Sequence, residues 1–530
     1  MHRIIYSVLM VVLVLSSLFA QAKQEPIPWP TLSSSAWPMI KHDPQFTGRS
    51  PYKGPQTPTV VWTADLPYGI FSGPVLDINQ NLYFGTYYQW YNDTISADHF
   101  YSYTKDGKLN WNVKLDSDSF PRPPQSGILI DSSNTIYFGS LDGNFYALNM
   151  DGTVKWKYQT EPMVELVWPN IDLEGNLYIV NGRSGELVSI HSDGTLNWKV
   201  KYGDGFIQKS PAISPDGKTI YILGKISNLY AINLDGSLKW QHDCGMSTKA
   251  PIVDNNGNLF FVTQDIPQSI YSLKSDGTLR WKSIITEPNA YPFYSAPTID
   301  YAGNIYLALG SAIFSYNNDG GFRWYYIIGT NYDEYDDFWQ PLICDNEGTV
   351  YVGSTFGKNY YAISSDGKLK WQLPLNDYQV DNTGAIGEDG TLYLGVHKSS
   401  LFYGTEKNLI AIRDTGTVGV EKEDITPLDF SLMQNYPNPF NPSTTINYQI
   451  PSSSFVTLKV YDVLGNEIAM LVNEEKAAGA YQVNFSAQQT TNNKPLASGM
   501  SSKGGYASGV YFYTLTAGKF TATKKFILMK

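Results

Sequence analysis

The chain has 530 residues, 42% hydrophobic and 16% charged, with a formal charge of -11. It is too long for one ordinary domain and too apolar to be disordered, and its acidity argues against nucleic acid and anionic membrane surfaces as partners. With only two cysteines, Cys244 and Cys344, it is no disulfide scaffold, so packing must supply its stability.

Residues 1–22 predict a secretory signal: His2-Arg3, an apolar run from Ile4 to Phe19, then the small-x-small site Ala20-Gln21-Ala22. The run is shorter than the roughly 20 residues a membrane span needs, so a mature start at Lys23 with no transmembrane segment is expected.

A repeat governs residues 23–416. "KDGKLNW" ends at Trp111, and variants of it end at Trp156, Trp198, Trp240, Trp281, Trp324 and Trp371. Between successive Trp residues come a segment such as "APIVD", a turn such as "DNNGN", a strand such as "LYFG", and "YAL" or "YAI" leading into the next Asp-Gly. Four short strands in about 40–45 residues cannot bury both faces alone, so the units are expected to pack radially as propeller blades. Asp-Gly is expected to supply a two-residue hairpin before the outermost strand, and each Trp to wedge against the adjacent blade.

Eight inner strands are expected, near Val75, Ile128, Ile171, Ile213, Ile252, Ile299, Ile343 and Ile386. The eighth unit stops without a Trp strand, while an orphan strand "TVVWTADL" carrying Trp62 precedes the first. We expect it to close the last blade as its outermost strand. An eight-bladed β-propeller is therefore the expected fold, with seven blades and one irregular unit as the alternative. The Asp-Gly-x-x-x-Trp repeat and "WPMIKHDPQFTGRS" from Trp37 resemble propellers of the pyrroloquinoline quinone (PQQ)-like repeat family, over roughly Trp37 to Gly416. The resemblance speaks to fold more than to function.

Residues 417–430 form a linker, and residues 431–530 read as a second all-β module, a small immunoglobulin-like β-sandwich. Its eight Lys against one Asp and three Glu make it +4 and leave the rest of the chain at -15. The run Pro437-Asn438-Pro439-Phe440-Asn441-Pro442, "VYDVLGNEI", "SGVYFYTL" with Gly509 and Tyr511, and the Lys-rich end with Lys524 and Lys525 resemble the C-terminal sorting domain of the type IX secretion system of Bacteroidota. That resemblance implies export across the outer membrane, handling by the secretion machinery and its sortase, and a secreted or cell-surface location.

A site is expected where the blade-to-blade loops converge. Those loops, with the long loop after the first "LYFG", are aromatic and acidic, and the residues proposed to meet a ligand are Trp90, Phe120, Glu165, Trp168, Phe206, Tyr294, Tyr335, Asp336 and Trp339. Rings offer stacking surface and carboxylates accept from hydroxyls or pair with cations, so a glycan or a surface protein fits as ligand. An enzyme acting on polysaccharide through these carboxylates, and a plain envelope scaffold, are the other readings. No catalytic residue is assigned; the motifs HExxH, GxSxG and a phosphate-binding glycine loop are missing from the sequence. His99 and His397 fall on loops of neighbouring units. Asp333, Asp336 and Asp337 in "DEYDD" offer hard oxygens for calcium, without the spacing of an EF-hand. No cofactor is expected: a quinone dehydrogenase of this fold would carry an adjacent Cys pair, which this sequence lacks. A monomer is expected.

Overall fold

The computed structural model describes residues 23–529 except 68, 71, 87–98, 116–125, 141, 161–167, 182–183, 204, 207–209, 225–227, 246–248, 264–266, 286–294, 328–340, 355–358, 376–377, 381, 399–405, 415–429, 433–434, 436–437, 451, 478 and 488–505. The chain divides into two compact units, Met1–Gly416 and Thr417–Lys530.

The first unit carries eight four-stranded antiparallel sheets among its described residues. The first runs Val75–Leu76, Leu82–Gly85, His99–Tyr103, Leu109–Lys114, and the pattern repeats to the seventh, Ile343–Cys344, Val350–Gly353, Asn359–Ile363, Leu369–Pro374. In the eighth, Ala385–Ile386, Leu392–Gly395 and Glu406–Ile412 are joined by Val60–Leu66, which pairs antiparallel with Glu406–Ile412 as the outermost strand. The two inner strands of each sheet are buried on both faces, and outermost strands alternate exposed and half-buried residues, as in "LNWNVK" and "VKWKYQ". The sheets are consistent with a β-propeller.

Each outermost strand is fixed to its neighbour through its Trp. The indole Nε1 of Trp62 donates to Lys105 O (2.9 Å), Trp111 to Met150 O (2.8 Å), Trp156 to Ser192 O (3.0 Å) and Trp198 to Leu234 O (2.8 Å). Trp240 reaches Ser275 O (3.0 Å), Trp281 Asn318 O (2.8 Å), Trp324 Ser365 O (2.9 Å) and Trp371 Pro55 O (2.8 Å). The contacts run from each sheet to the next. Trp371 of the seventh sheet reaches the segment leading into Val60–Leu66, and Trp62 on that strand reaches the first sheet, so the series returns to its start.

The Asp-Gly turns differ from the two-residue hairpins expected. Asn149 N donates to Thr153 O and Gly152 N to Asn149 O, which closes a three-residue loop, and the register slips between Ala147 and Leu148. Only the glycine takes positive φ (84° at Gly152), the pattern of a type I turn followed by a bulge. The aspartate acts through its side chain: Asp151 Oδ1 accepts from Thr153 N (3.0 Å) and Thr153 Oγ1 (2.6 Å). Glycine is needed here on a second count. A Cβ on Gly152 would lie 2.9 Å from Cε3 of Trp111, so a side chain would push the neighbouring indole away.

The second unit has a three-stranded sheet, ordered Ser431–Leu432, Ser443–Ile450, Gly479–Ser486, and a four-stranded sheet, ordered Glu467–Lys476, Ser454–Tyr461, Gly509–Ala517, Phe520–Leu528. Ile446, Tyr448 and Phe485 of one sheet and Val456, Leu458, Tyr513, Leu515 and Phe526 of the other share a single core. Asn438 and Phe440 of the Pro-Asn-Pro-Phe run lie along the edge of the last strand. Phe440 N donates to Ile527 O and Met529 N to Phe440 O, and Ile527 N donates to the Asn438 side-chain oxygen (2.8 Å). A proline has no N–H for a ladder, and here an asparagine side chain takes the ladder's place. Gly509 and Tyr511 lie on the strand paired to this one; Lys524 and Lys525 are exposed on it, and Pro437 lies outside the described residues.

Candidate functional site

Of the nine loop residues proposed to meet a ligand, Trp168 and Phe206 are described, and both are buried. Trp168 is 8% exposed, its carbonyl accepts from Ser210 Oγ (2.6 Å), and its ring packs on Gly127. Phe206 is fully covered, bridged to Gly224, with its ring edge-on to Tyr230 at 5.4 Å. Trp90, Phe120, Glu165, Tyr294, Tyr335, Asp336 and Trp339, and the calcium candidates Asp333 and Asp337, lie outside the described residues.

Beneath the loops, short polar side chains recur at one place in the repeat. Gly85 N donates to Ser72 Oγ (3.0 Å), Gly139 N to Ser126 Oγ (2.5 Å) and Ala308 N to Ser295 Oγ (3.0 Å), and Asn382 Nδ2 donates to Gly395 O (2.8 Å). Each ties the entry to an inner strand to the strand beside it, so the loops spring from fixed stems.

The axis holds a feature that sequence reasoning missed: residues 24–50 run along the innermost strands. Leu76 N donates to Trp37 O, Ile40 N to Ile128 O, Ile213 N to Pro44 O, Val253 N to Gln45 O, Ile299 N to Thr47 O and Cys344 N to Gly48 O. Trp29 Nε1 donates to Ile171 O (2.9 Å). The segment thus bonds the inner strands of seven of the eight sheets. Inner strands at a propeller's centre have carbonyls and amides that need partners, and this segment supplies them. Its side chains fill the space between: Trp37, Met39, Ile40 and Phe46 are all buried. Lys41, His42 and Phe46 adopt positive φ (60°, 74° and 58°), which folds the segment back on itself.

Two of its cations are buried. Lys41 is 1% exposed, and its Nζ donates to Pro297 O (2.6 Å) and Thr298 Oγ1 (2.9 Å). Burial lowers its pKa to about 7, against smaller opposing effects of Cys344 and Asp43. Arg49 donates to Glu25 O (3.1 Å) and Asn255 Oδ1 (2.7 Å) and lies over the Tyr301 ring at 4.9 Å. Burial works against the charge of Asp43, but the hydrogen bond and charge of His42, then Arg49 and the Thr47 hydroxyl, hold its carboxyl below the usual value. The signal was legible in outline: Lys41 and Arg49 stand within an N-terminal run that has no place in the repeat.

The carboxylates that close the inner strands are committed to structure. Asp300 Oδ2 accepts from Tyr306 OH (2.7 Å) and Asn304 Nδ2 (2.8 Å), while Oδ1 accepts from Asn304 N (2.7 Å). Asp77 with Tyr83, Asp131 with Tyr137, Asp172 with Tyr178 and Asp345 with Tyr351 repeat the pair at 2.7–3.0 Å. Where Phe260 replaces the tyrosine, Asn318 Nδ2 donates to Asp254 Oδ2 instead (3.1 Å). Burial and the adjacent charge of Asp300 raise the phenol of Tyr306 far above its usual value, so it stays a donor. An Asp six residues before a Tyr was the readable signal.

Among the described residues no group of three or more His, Cys, Asp or Glu could hold a metal ion. His397 pairs with Gln379 in a short ladder, and His99 opens its own strand. Cys244 and Cys344 are buried free thiols. Trp37, Met39, Ile40 and Phe46 are buried at the axis, and Lys41 among them is bonded to Pro297 and Thr298.

Comparison with known proteins agrees with this geometry. A family model described as outer membrane protein assembly factor BamB matches residues 54–210 and 191–337, together more than half of the chain. A model described as a secretion system C-terminal sorting domain matches residues 434–529. No curated protein matches. Among solved structures, Sqt1 from Chaetomium thermophilum is 12% identical with a TM-score of 0.51, over 68% of this chain and 99% of that one. BamB from Moraxella catarrhalis is 13% identical with a TM-score of 0.48, over 67% of this chain and 99% of that one. Virginiamycin B lyase from Staphylococcus aureus is 12% identical with a TM-score of 0.41, over 54% of this chain and 92% of that one. At such identities the likeness is one of fold. The sorting domain makes this a secreted or cell-surface protein, and among the described residues no helix is long and apolar enough to cross a membrane. The chain belongs to the PQQ-like propeller family whose model is described by the assembly factor BamB, and it ends in a type IX secretion sorting domain.

Proposed function

We propose that this protein is an eight-bladed propeller, followed by an immunoglobulin-like sandwich, that binds an extracellular glycan or surface-protein ligand through its loop face and performs no chemistry on it. The series of eight Trp contacts that returns to its start supports the blade count. The observation that carries the binding reading is the filled axis. With residues 24–50 bonded to the inner strands, a ligand is confined to the loop face. The described carboxylates that close the inner strands accept from tyrosine and asparagine donors, which favours a binding protein over an acid/base catalyst. Aromatic and acidic loops on fixed stems offer stacking surface and hydrogen-bond acceptors to sugars or to a basic protein surface.

The test is a glycan array and a surface-protein capture with the purified full chain, beside a variant carrying Tyr335→Ala, Asp336→Ala and Trp339→Ala. Saturable binding without product, weakened at least tenfold in a variant whose melting is unchanged, is expected. Turnover of a bound polysaccharide would refute the reading, as would full binding by the variant.

A further inference from the structure

One turn of the sorting domain is built like the turns that close the inner strands of the propeller. Asp462 N donates to Asn466 O and Gly465 N to Asp462 O. Asp462 Oδ1 accepts from Leu464 N (2.9 Å) and Asn466 N (2.9 Å), and Oδ2 accepts from Asn466 Nδ2 (2.8 Å). Asp172 and Asp254 show the same bonds at nearly the same lengths. The difference lies in the two residues after the aspartate. In the propeller the first of these positions is Leu173, 40% exposed and packed on Gly217, or Asn255, bonded to Gln24 and Glu25, or Ile78, 48% exposed, so the difference is one of degree and of two apolar residues in a row. In the sorting domain the two positions are Val463, 65% exposed, and Leu464, 80% exposed, the two most exposed large apolar side chains among the described residues.

The tip is rigid and carries no free charge. Five hydrogen bonds hold it, Gly465 (φ 83°) completes the turn, and the nearby Glu467 is paired with Lys459 at 2.9 Å. A preorganised apolar knob loses little entropy on docking, which is how a small contact becomes a strong one. Two side chains fall far short of the about 800 Å² per partner of a lasting interface, so the tip suits a transient recognition contact better than a stable dimer of this chain. The module is a secretion signal, and the partner it must meet is the machinery that exports it.

We propose that Val463 and Leu464 form the knob by which the secretion machinery recognises the folded sorting domain, seated in an uncharged apolar pocket of the machinery. The proposal rests on the assignment of the sorting domain and is independent of the ligand reading of the propeller.

The experiment expresses the full chain in a host bearing type IX secretion machinery. It compares the natural sequence with Val463→Ser/Leu464→Ser, which keeps Asp462, Gly465 and Asn466, and with the control Phe455→Ser, an equally removable side chain that is 53% exposed on the same module. The readouts are the fraction of chain reaching the surface or medium and, on purified protein, hydrogen exchange at the Ile527 amide as a monitor of the sorting fold. The tip variant is expected to keep that protection and to lose at least tenfold in export, while the control exports normally. Unchanged export by the tip variant overturns the proposal, as does an equal loss in the control. If the double variant loses exchange protection, Leu464→Gln alone is scored by the same criteria. Concentration-dependent self-association, or binding to vesicles of outer-membrane lipid, that disappears with the tip while export persists would assign the knob to a second copy or to lipid and overturn it equally.

Discussion

Replacing Lys41 with Met should stabilise the propeller below pH 8 and flatten its pH dependence. The lysine is 1% exposed, and its pKa falls from 10.5 to about 7 because burial disfavours the ammonium. That difference corresponds to about 5 kcal/mol at about 1.36 kcal/mol per pKa unit. Between the folded value near 7 and the unfolded value near 10.5 the unfolded chain binds the extra proton, so stability rises with pH across this window. The full cost is present below the folded pKa and is gone above the unfolded one. Cys344 acts in the opposite sense: burial raises its thiol, so the unfolded chain loses that proton first and stability falls as pH climbs past the ordinary thiol value. The clean range is therefore about pH 7 to 8.5, where a single proton gives a slope of up to about 1.4 kcal/mol per unit and a gain approaching about 2 kcal/mol. Met keeps the stem and the positive-φ backbone but gives up the bonds to Pro297 O and Thr298 Oγ1, together worth about 2–4 kcal/mol. A net gain of about 1–3 kcal/mol at pH 7 remains, shrinking to a net loss by pH 10. All 13 Trp residues precede the sorting domain, so denaturant unfolding followed by Trp fluorescence reports the propeller alone. A variant whose stability keeps the natural slope between pH 7 and 8.5 would refute the reasoning, because Lys41 would then not be the group that titrates.

Other substitutions test the repeat and the sorting domain by the same assay or by exchange. Asp300→Ala strips three donors of their carboxylate and should cost about 4 kcal/mol, and adding Tyr306→Phe should recover part of that loss, as the natural Phe260 in the fifth sheet suggests. Strict additivity in that cycle would contradict the pairing. Gly175→Ala, at φ 89° with nothing within 4 Å, should cost about 1 kcal/mol. Gly236→Ala, at φ 85° with the Trp198 ring 3.0 Å from the new Cβ, should cost about 1–3 kcal/mol more; equal losses would show that the indole yields freely. Asn438→Ala removes the acceptor for Ile527 N and should speed exchange of that amide about tenfold, the equivalent of about 1.4 kcal/mol, with no change in propeller melting.

How much of this was written plainly in the sequence depends on whether a residue acts on its own repeat or across it. The spacing of Trp111, Trp156 and Trp198 announced four-stranded units because each unit repeats the same local chemistry: seven of the eight Trp residues bond the next Asp-Gly turn, and Trp371 bonds Pro55 before the seam strand instead. The turn type was misread. Asp-Gly satisfies both a two-residue hairpin and a three-residue loop with a bulge, and only the register of Ala147 and Leu148 against the Trp156 strand separates them. Trp168 and Phe206 look like exposed platform residues in a list of loop aromatics, yet both are covered, because aromatic side chains at loop stems also serve to cap a core. Residues 24–50 stand out only as a run outside the repeat, and their role at the axis was not readable. Their partners are Ile128, Ile213, Val253, Ile299 and Cys344, spread over more than two hundred residues, and each contact is between backbone groups that leave no mark on residue type.

That segment also bears on how the fold closes. Residues 24–50 hold the inner strands, Pro55 takes the Trp371 indole, and Val60–Leu66 completes the eighth sheet against Glu406–Ile412, so residues 24–66 contact both the centre and the seam of the propeller. The seam pairing cannot form until the chain has been made as far as Ile412, because its partner is the last strand of the propeller, whereas the bonds to the inner strands need only the strand each one holds. Asp414 then accepts from Gln56 N (2.9 Å) and Thr57 N (2.7 Å), locking the seam at its outer end. The sorting domain follows directly in sequence. A chain that carries the complete sorting signal has therefore already synthesised every strand the propeller needs to close, because the last of them, Glu406–Ile412, precedes the sorting domain in sequence.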